Sequence, residues 1–405
     1  MSPLLSVESA LQQVLSSVED CSRPVIEVDL LKALGCVLAR DVVSSIAVPG
    51  DDNSAMDGYA LRAVDAHEQL PVSQRIPAGS VGAQLKPGTA ARIFTGAAIP
   101  PGADTVVMQE NCELLDGCIV INGSVSAGQN IRLQGQDISS GSIVLCAGRR
   151  LRPQDVGLLA SVGMAQVSVY KPLKVAILST GDELADPSNI GKDKELPAGQ
   201  IYNSNRYTLA GLLSNLNVEV VDGGIIPDDP DATARALQSA ADAADCVICS
   251  GGVSVGEEDH VKDQVEKLGK LDLWKLAIKP GKPLAFGRIG ETPFFGLPGN
   301  PTSVFVTFCL VARPYLQKLQ GLAEAAPIKL TARARFNSGR PGGRQEYRRV
   351  TVQNGETGLV ASDYVNQSSG VLSSVSHSNA FAIIAPGEVV TEGDQVEVIL
   401  LDHLT

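Results

Sequence analysis

The sequence predicts a multidomain α/β protein: a doubly wound α/β domain, an inserted β-rich domain, a helical N-terminal domain and a small C-terminal β-barrel. Three observations carry that expectation. The chain has 405 residues, more than one hydrophobic core usually organises. From Lys171 onward short apolar runs alternate with helix-periodic segments, the pattern of a parallel sheet covered on both faces. Period-two text broken by Gly and Pro fills residues 44–146 and returns after residue 327.

In chain order, Val7, Leu11, Val14, Leu15 and Val18 recur at helical spacing after Ser6, a residue suited to the N-cap. A second short helix over 30–34 ends at Gly35, and a third begins at Pro153 and stops at Gly163, with proline inside its start and glycine past its end. These pieces read as one helical domain, 1–43 with 147–170. Between them, 91–94, 105–108 and 118–121 read as strands of the inserted domain, 44–146. The α/β domain, 171–322, reads as strands at 173–178, 218–221, 245–249 and 294–296. Its helices fall at 204–216, 230–243, 258–268 and 302–319, the last with Pro314 placed to kink it. Residues 328–336, 345–352, 381–384 and 396–401 supply the barrel, 323–405.

Composition narrows the function. Hydrophobic residues at 44% against 19% charged leave enough apolar surface for packed cores, so disorder is not expected. No apolar run reaches eighteen residues, and the N-terminus lacks the basic start and apolar stretch of a secretory signal, so a cytoplasmic protein is expected, with no membrane partner. The eight cysteines lack a paired spacing, which suits reduced thiols. Cys246 and Cys249 lie three apart in an apolar strand and so face opposite sides of the sheet, which makes them structural and not a metal knuckle. A net charge of −12 argues against a nucleic-acid partner. If the substrates are anions, positive charge must then be gathered locally.

In open α/β sheets ligands bind beyond the carboxyl ends of the strands. Three glycine-bearing loops meet that description: Ser179-Thr180-Gly181-Asp182-Glu183, Ser250-Gly251-Gly252-Val253-Ser254-Val255-Gly256, and Gly296-Leu297-Pro298-Gly299-Asn300-Pro301. Together they predict a nucleotide-like pocket. Asp182, Glu183, Glu257, Glu258 and Asp259, with Ser250 and Ser254, offer the oxygen ligands that Mg²⁺ takes. Taken singly, each acid serves equally well as a helix cap or first-turn acid. Lys275, Lys279 and Lys282 fall within eight residues, with Lys275 and Lys279 on one face of an extended segment and a Pro-Gly turn bringing Lys282 round, and so predict a basic rim. In the inserted domain, residues 51–59 and 94–104 are rich in acids and hydroxyls that turn chemistry alone also explains.

Six of these segments, in order, resemble the molybdenum insertase family of the bacterial MoeA type, which is related to one domain of gephyrin. They are Asp52-Asn-Ser-Ala-Met-Asp-Gly-Tyr-Ala60, Phe94-Thr-Gly-Ala97 with Pro101-Gly-Ala-Asp104, Ser179-Thr-Gly-Asp-Glu-Leu184, Ser250-Gly-Gly-Val-Ser254 with Gly256 and Asp259, Lys279-Pro-Gly-Lys-Pro283, and Gly296-Leu-Pro-Gly-Asn-Pro-Thr-Ser303. The resemblance covers nearly the whole chain and implies a MogA-like α/β domain in an elongated, four-domain homodimer. Its active cleft would lie between the α/β domain of one subunit and the inserted and terminal domains of the other. Catalytic roles are implied for Asp57, Thr95, Asp137, Glu183, Asp228, Asp259, Lys275 and Lys279. Substrate contacts are implied for Ser179, Thr180, Gly181, Asp182, Ser250, Gly251, Gly252, Ser254, Lys282, Pro298, Gly299, Asn300, Pro301 and Arg348, and Mg²⁺ ligation for Asp182, Glu183 and Asp259. The sequence departs from its relatives at Ala98, where they often carry proline or a bulkier residue.

The resemblance further implies that adenylylated molybdopterin and molybdate combine, with Mg²⁺, to yield the molybdenum cofactor and AMP. Both substrates are anions, so a divalent ion and lysines would cancel their repulsion, and the dithiolene thiolates would come from the pterin. The adenylyltransferase that makes the activated pterin is an expected partner, as are the chaperones of molybdoenzymes. Two alternatives stand beside this: the chain is itself the adenylyltransferase, or it is a non-catalytic scaffold of the gephyrin type.

Overall fold

The computed structural model describes residues 4–18, 23–190, 195–252, 260–323 and 327–405. The chain forms two compact units: Met1–Ile26, Gly35–Ala39 and Val169–Thr405 make the first, Glu27–Leu34 and Arg40–Ser168 the second. The helical pieces at the front of the sequence are shared out between them.

At the centre of the first unit is a six-stranded sheet in the order Glu219–Ile226, Lys174–Thr180, Cys246–Ser250, Thr292–Leu297, Pro283–Ile289, Gly269–Lys275. The first four run parallel, as the alternation of strands and helices requires. The last two are antiparallel, a departure from the all-parallel expectation. Its cause is local: only Gly290 and Glu291 separate Ile289 from Thr292, too short a connection for a crossover, and Gly290 takes a positive φ of 55° to close the hairpin.

Side-chain alternation divides the core. Val175, Ile177, Cys246, Ile248, Phe295 and Leu297 pack on one face beneath the helix Ser204–Ser214 and the segment 301–319. Ala176, Leu178, Val247, Cys249 and Phe294 pack on the other, against the helices Pro230–Ala243 and His260–Leu268. Both sulfurs are fully buried on opposite faces, and burial pushes the Cys249 thiol up to about 12 and the Cys246 thiol higher still. Iodoacetamide applied to the folded protein at about pH 8 is therefore expected to leave both unmodified while exposed Cys146 reacts, as peptide mass mapping would report.

Ser6 caps the helix Val7–Ser16 through a hydrogen bond accepted from the Ser9 N–H at 3.1 Å, and Val7, Ala10 and Val14 are buried in the same core as Tyr315 and Leu316. The long C-terminal helix of the α/β region is interrupted by a π turn, Phe308–Ala312, between the α-helices Pro301–Thr307 and Arg313–Leu319. Pro314 brings no N–H to the ladder, and the wider π turn stands directly ahead of it.

Five further strands of this unit close into a barrel: Gln345–Gly355, Gly358–Asp363, Leu330–Ala334, Gln395–Leu400 and Ala380–Ile384, the last pairing back onto the first. The short strand Ile278–Lys279 adds to its edge, placing Lys279 opposite Glu346. In the second unit a mixed six-stranded sheet, Thr105–Met108, Gly58–Leu61, Ala90–Ile93, Leu70–Ile76, Cys118–Ile121, Cys112–Leu115, carries the predicted β-rich text. The helix Pro153–Ser161 also lies in this unit, with Gly163 at φ +80° beyond its end.

Candidate active site

Because four strands of the central sheet are parallel, their carboxyl ends emerge along one edge, and the loops that follow line a cleft of about 1000 Å³. Thr180 at the first strand's end with Gly181 and Glu183 beyond it, Asp228 after the second, Ser250 at the third strand's end with Gly251 and Gly252, and Pro298, Gly299 and Asn300 after the fourth with Pro301 opening the next helix all line it.

The glycines at the third loop are needed for close approach. Gly251 has φ +90°, and a Cβ there would stand 2.9 Å from the Thr180 carbonyl oxygen and 3.0 Å from its Oγ1. Gly252, at φ +67°, would meet the same Oγ1 at 2.9 Å. Just behind, Ser179 and Ser250 occupy paired register positions, and their buried hydroxyls are 3.1 Å apart. Ser179 is thus part of the support and does not line the cleft.

The acidic side is cross-tied. The Asp182 N–H donates to Asp228 Oδ2 at 3.3 Å, and the Asp228 N–H donates to Asp182 Oδ1 at 3.1 Å. Glu183 folds its carboxylate over Gly181, so that a Cβ at that position would clash with it. Among the described residues no three His, Cys, Asp or Glu side chains converge as a closed metal site. An open pair of carboxylates is nonetheless what Mg²⁺ uses when waters and substrate phosphates complete its shell, so the donor set fits that ion. Ser254, Glu257, Glu258 and Asp259 lie outside the described residues.

Lys279, Lys282 and Arg344 line the same cleft. Lys279 Nζ is 2.9 Å from Glu346 Oε2, and Glu346 Oε1 is 3.2 Å from Arg348. Arg348 also makes a 2.6 Å ion pair with Asp363. These bonds hold the Arg348 guanidinium against the barrel, and it is Arg344, donating to the Ile278 carbonyl at 3.1 Å, that lines the cleft. Lys275 ends the strand Gly269–Lys275 and pairs with Pro283, while Lys279 belongs to the barrel edge, so the two do not share one extended face.

Sequence reasoning missed Arg344, residues 367–370 and the Asn203–Asn205 corner, all of which line the cleft. The Thr302 N–H donates to the Ser369 carbonyl at 3.1 Å, tying the barrel loop to the start of the helix Pro301–Thr307. Nothing local in the sequence signals that pairing.

The second unit has its own polar cluster. The Thr95 N–H and hydroxyl both donate to Asp57 Oδ1, at 2.7 and 2.6 Å. The Thr95 hydroxyl, its backbone N–H and Arg92 hold the Asp57 carboxyl below the usual aspartate range. Asp137 is exposed on a neighbouring turn, its N–H bonded to the Val48 carbonyl at 3.0 Å, and Asp52 accepts the Gln134 N–H at 2.7 Å. Ala98, the departure from the motif, bridges antiparallel to Asn53. Thr95→Val is expected to return the Asp57 titration toward that of a free aspartate, measured by carboxyl NMR. The sign follows from the lowered value: the interaction contributes above the ordinary aspartate pKa and is lost as pH falls through the depressed one.

With this geometry in view, residues 5–163 match the MoeA N-terminal region (domain I and II), 176–318 the Probable molybdopterin binding domain, and 331–401 the MoeA C-terminal region (domain IV). The chain is 42% identical to the molybdopterin molybdenumtransferase of Haemophilus influenzae over 93% of its own length and 94% of that relative's. The chain belongs to the molybdopterin molybdenumtransferase family. A second family member, from Nostoc sp., is 38% identical over 92% of this chain and 88% of its own. Among solved structures, the molybdopterin biosynthesis moeA protein of Pyrococcus horikoshii OT3 superposes with a TM-score of 0.83 at 31% identity, covering 98% of this chain and 100% of that one. The family's MogA-like α/β region and terminal barrel are the sheet and the closed five-stranded barrel described above. Among the described residues no helix is long and apolar enough to cross a membrane.

Proposed function

We propose that this protein inserts molybdenum into molybdopterin, converting adenylylated molybdopterin and molybdate into the molybdenum cofactor and AMP. The single observation that carries the proposal is the pairing within one cleft of glycine-lined strand ends with Lys279, Lys282 and Arg344, in a chain whose net charge is −12. In such a molecule a local cationic wall is what lets two anions meet. Family membership supports the same activity.

The residues act chiefly by positioning. The backbone at Gly251 and Gly252 leaves room for a phosphate group close to the strand ends. Lys279, Lys282 and Arg344 neutralise molybdate and the pterin phosphate as a molybdate oxygen attacks that phosphorus, the phosphoanhydride bond breaks and AMP departs with the bridging oxygen. Molybdenum then passes to the dithiolene sulfurs of the substrate. Glu183 and Asp228, with Asp182 beside them, would hold Mg²⁺, which when bound draws anionic oxygens together and offsets their charge. Asp259 is proposed as a further ligand. A four-domain organisation, a homodimer, a cytoplasmic location and hand-over from an adenylyltransferase belong to the same proposal, as do supporting roles for Asp57, Thr95 and Asp137.

Purified protein given adenylylated molybdopterin, Mg²⁺ and molybdate is expected to release AMP only when the oxyanion is present. AMP release that ignores molybdate, or pyrophosphate release from ATP and free molybdopterin, would sink the proposal.

A further inference from the structure

We infer that Asn203 and Asn205 recognise the polar edge of a planar nitrogen heterocycle in the substrate, the chemical class to which both the pterin and the adenine belong; this rests on the function proposed above. Asn203 caps the helix Ser204–Ser214, its Oδ1 accepting the Arg206 N–H at 3.1 Å. Asn205, in the first turn, donates from Nδ2 to the Gly299 carbonyl at 2.7 Å. Each amide is thus half used. The other halves, Asn203 Nδ2 and Asn205 Oδ1, are buried with no hydrogen-bond partner, and Asn203 as a residue is only 1% exposed.

Neither amide can rotate to relieve this. Turning Asn203 over would set its NH₂ against the Arg206 N–H and discard the cap, and turning Asn205 over would set two carbonyl oxygens together. The backbone beneath is held as well, since Arg206 is paired with both Asp186 and Asp222. Native proteins rarely leave buried amide groups unmet, so a donor and an acceptor fixed in a cleft wall point to a ligand that completes them.

The pattern selects the ligand. Molybdate and the ionised bridging phosphates of the substrate offer acceptors only and would be refused by Asn205 Oδ1, whereas a purine or pterin edge presents an acceptor beside a donor. Ile201 and Tyr202, 56% and 47% exposed on the same wall, give a ring apolar and aromatic surface to lie against.

The test compares full-length wild type with Asn203→Ser and Asn203→Asp, both of which retain an oxygen to cap the helix and remove the amide NH₂, Ser leaving only a shorter hydroxyl and Asp no donor at all. Binding of adenylylated molybdopterin, AMP, a simple pterin and molybdate would be measured for each. Affinity for adenylylated molybdopterin should fall roughly tenfold in the Ser variant, and further in the Asp variant, which turns a second acceptor toward the ring. Molybdate affinity should not change. The ring whose probe loses affinity, AMP or pterin, is the one seated there. A merely structural cap predicts that Asp binds as well as Asn, and that result would overturn the inference. Wild-type turnover with unchanged variants defeats the inference alone. Wild type that binds AMP or pterin but not the adenylylated substrate defeats the proposed function, with the ring probes still deciding the asparagines.

Discussion

Lys279→Ala is expected to lower molybdate-dependent AMP release by about 10²–10³-fold with the fold intact, the range seen when one preorganised charge-stabilising donor is removed. Lys279 is one of three cations on the cleft wall, and two unit charges about 4 Å apart interact by about 4 kcal/mol at an effective dielectric near 20. Removing it exposes the two anionic substrates to each other at that point. Folding should survive because Glu346, which loses Lys279, keeps its 3.2 Å pair with Arg348 and is not left alone in the barrel wall. Lys279→Arg retains the charge and should recover part of the rate. The readout is kcat/KM for AMP release with molybdate varied; an Ala variant as fast as wild type would remove Lys279 from the chemistry.

Gly251→Ala is expected to cost about 3 kcal/mol of stability, seen as a lower denaturant midpoint. About 1–2 kcal/mol comes from forcing an L residue into the left-handed region at φ +90°. A further 1–3 kcal/mol comes from driving Cβ against the Thr180 carbonyl, which is backbone and cannot step aside. Gly299→Ala is the control. It lies on the same cleft, yet an added Cβ meets nothing within 4 Å, so its stability should change by no more than about 0.5 kcal/mol. Equal losses in the two variants would show that general loop disturbance, and not close approach, explains the first.

Much of the fold was legible in the residue order because its causes are local. The helix Pro230–Ala243 was bounded correctly at both ends, since proline opens it and its apolar positions keep a helical period. The cleft loops were legible for the same reason: glycine, proline and acids stand directly after apolar runs. The strand Gly358–Asp363 went unread, its mixed residues following a tight turn and gaining their order only from pairing with Gln345–Gly355.

What only the folded chain decided is whatever depends on partners far away in sequence. The hairpin that makes the central sheet mixed was one such case, because strand direction belongs to a pairing and not to a segment. Which arginine reaches the cleft was another: Asp363 and Glu346 detain Arg348, and Arg344 lines the cleft with Lys279. The half-used amide of Asn205 depends on Gly299, 94 residues on, so no short window of sequence could reveal it. Residue types and spacing carry the chemistry that a short stretch of chain can express, while register and long-range hydrogen bonding choose which of those groups face the same space.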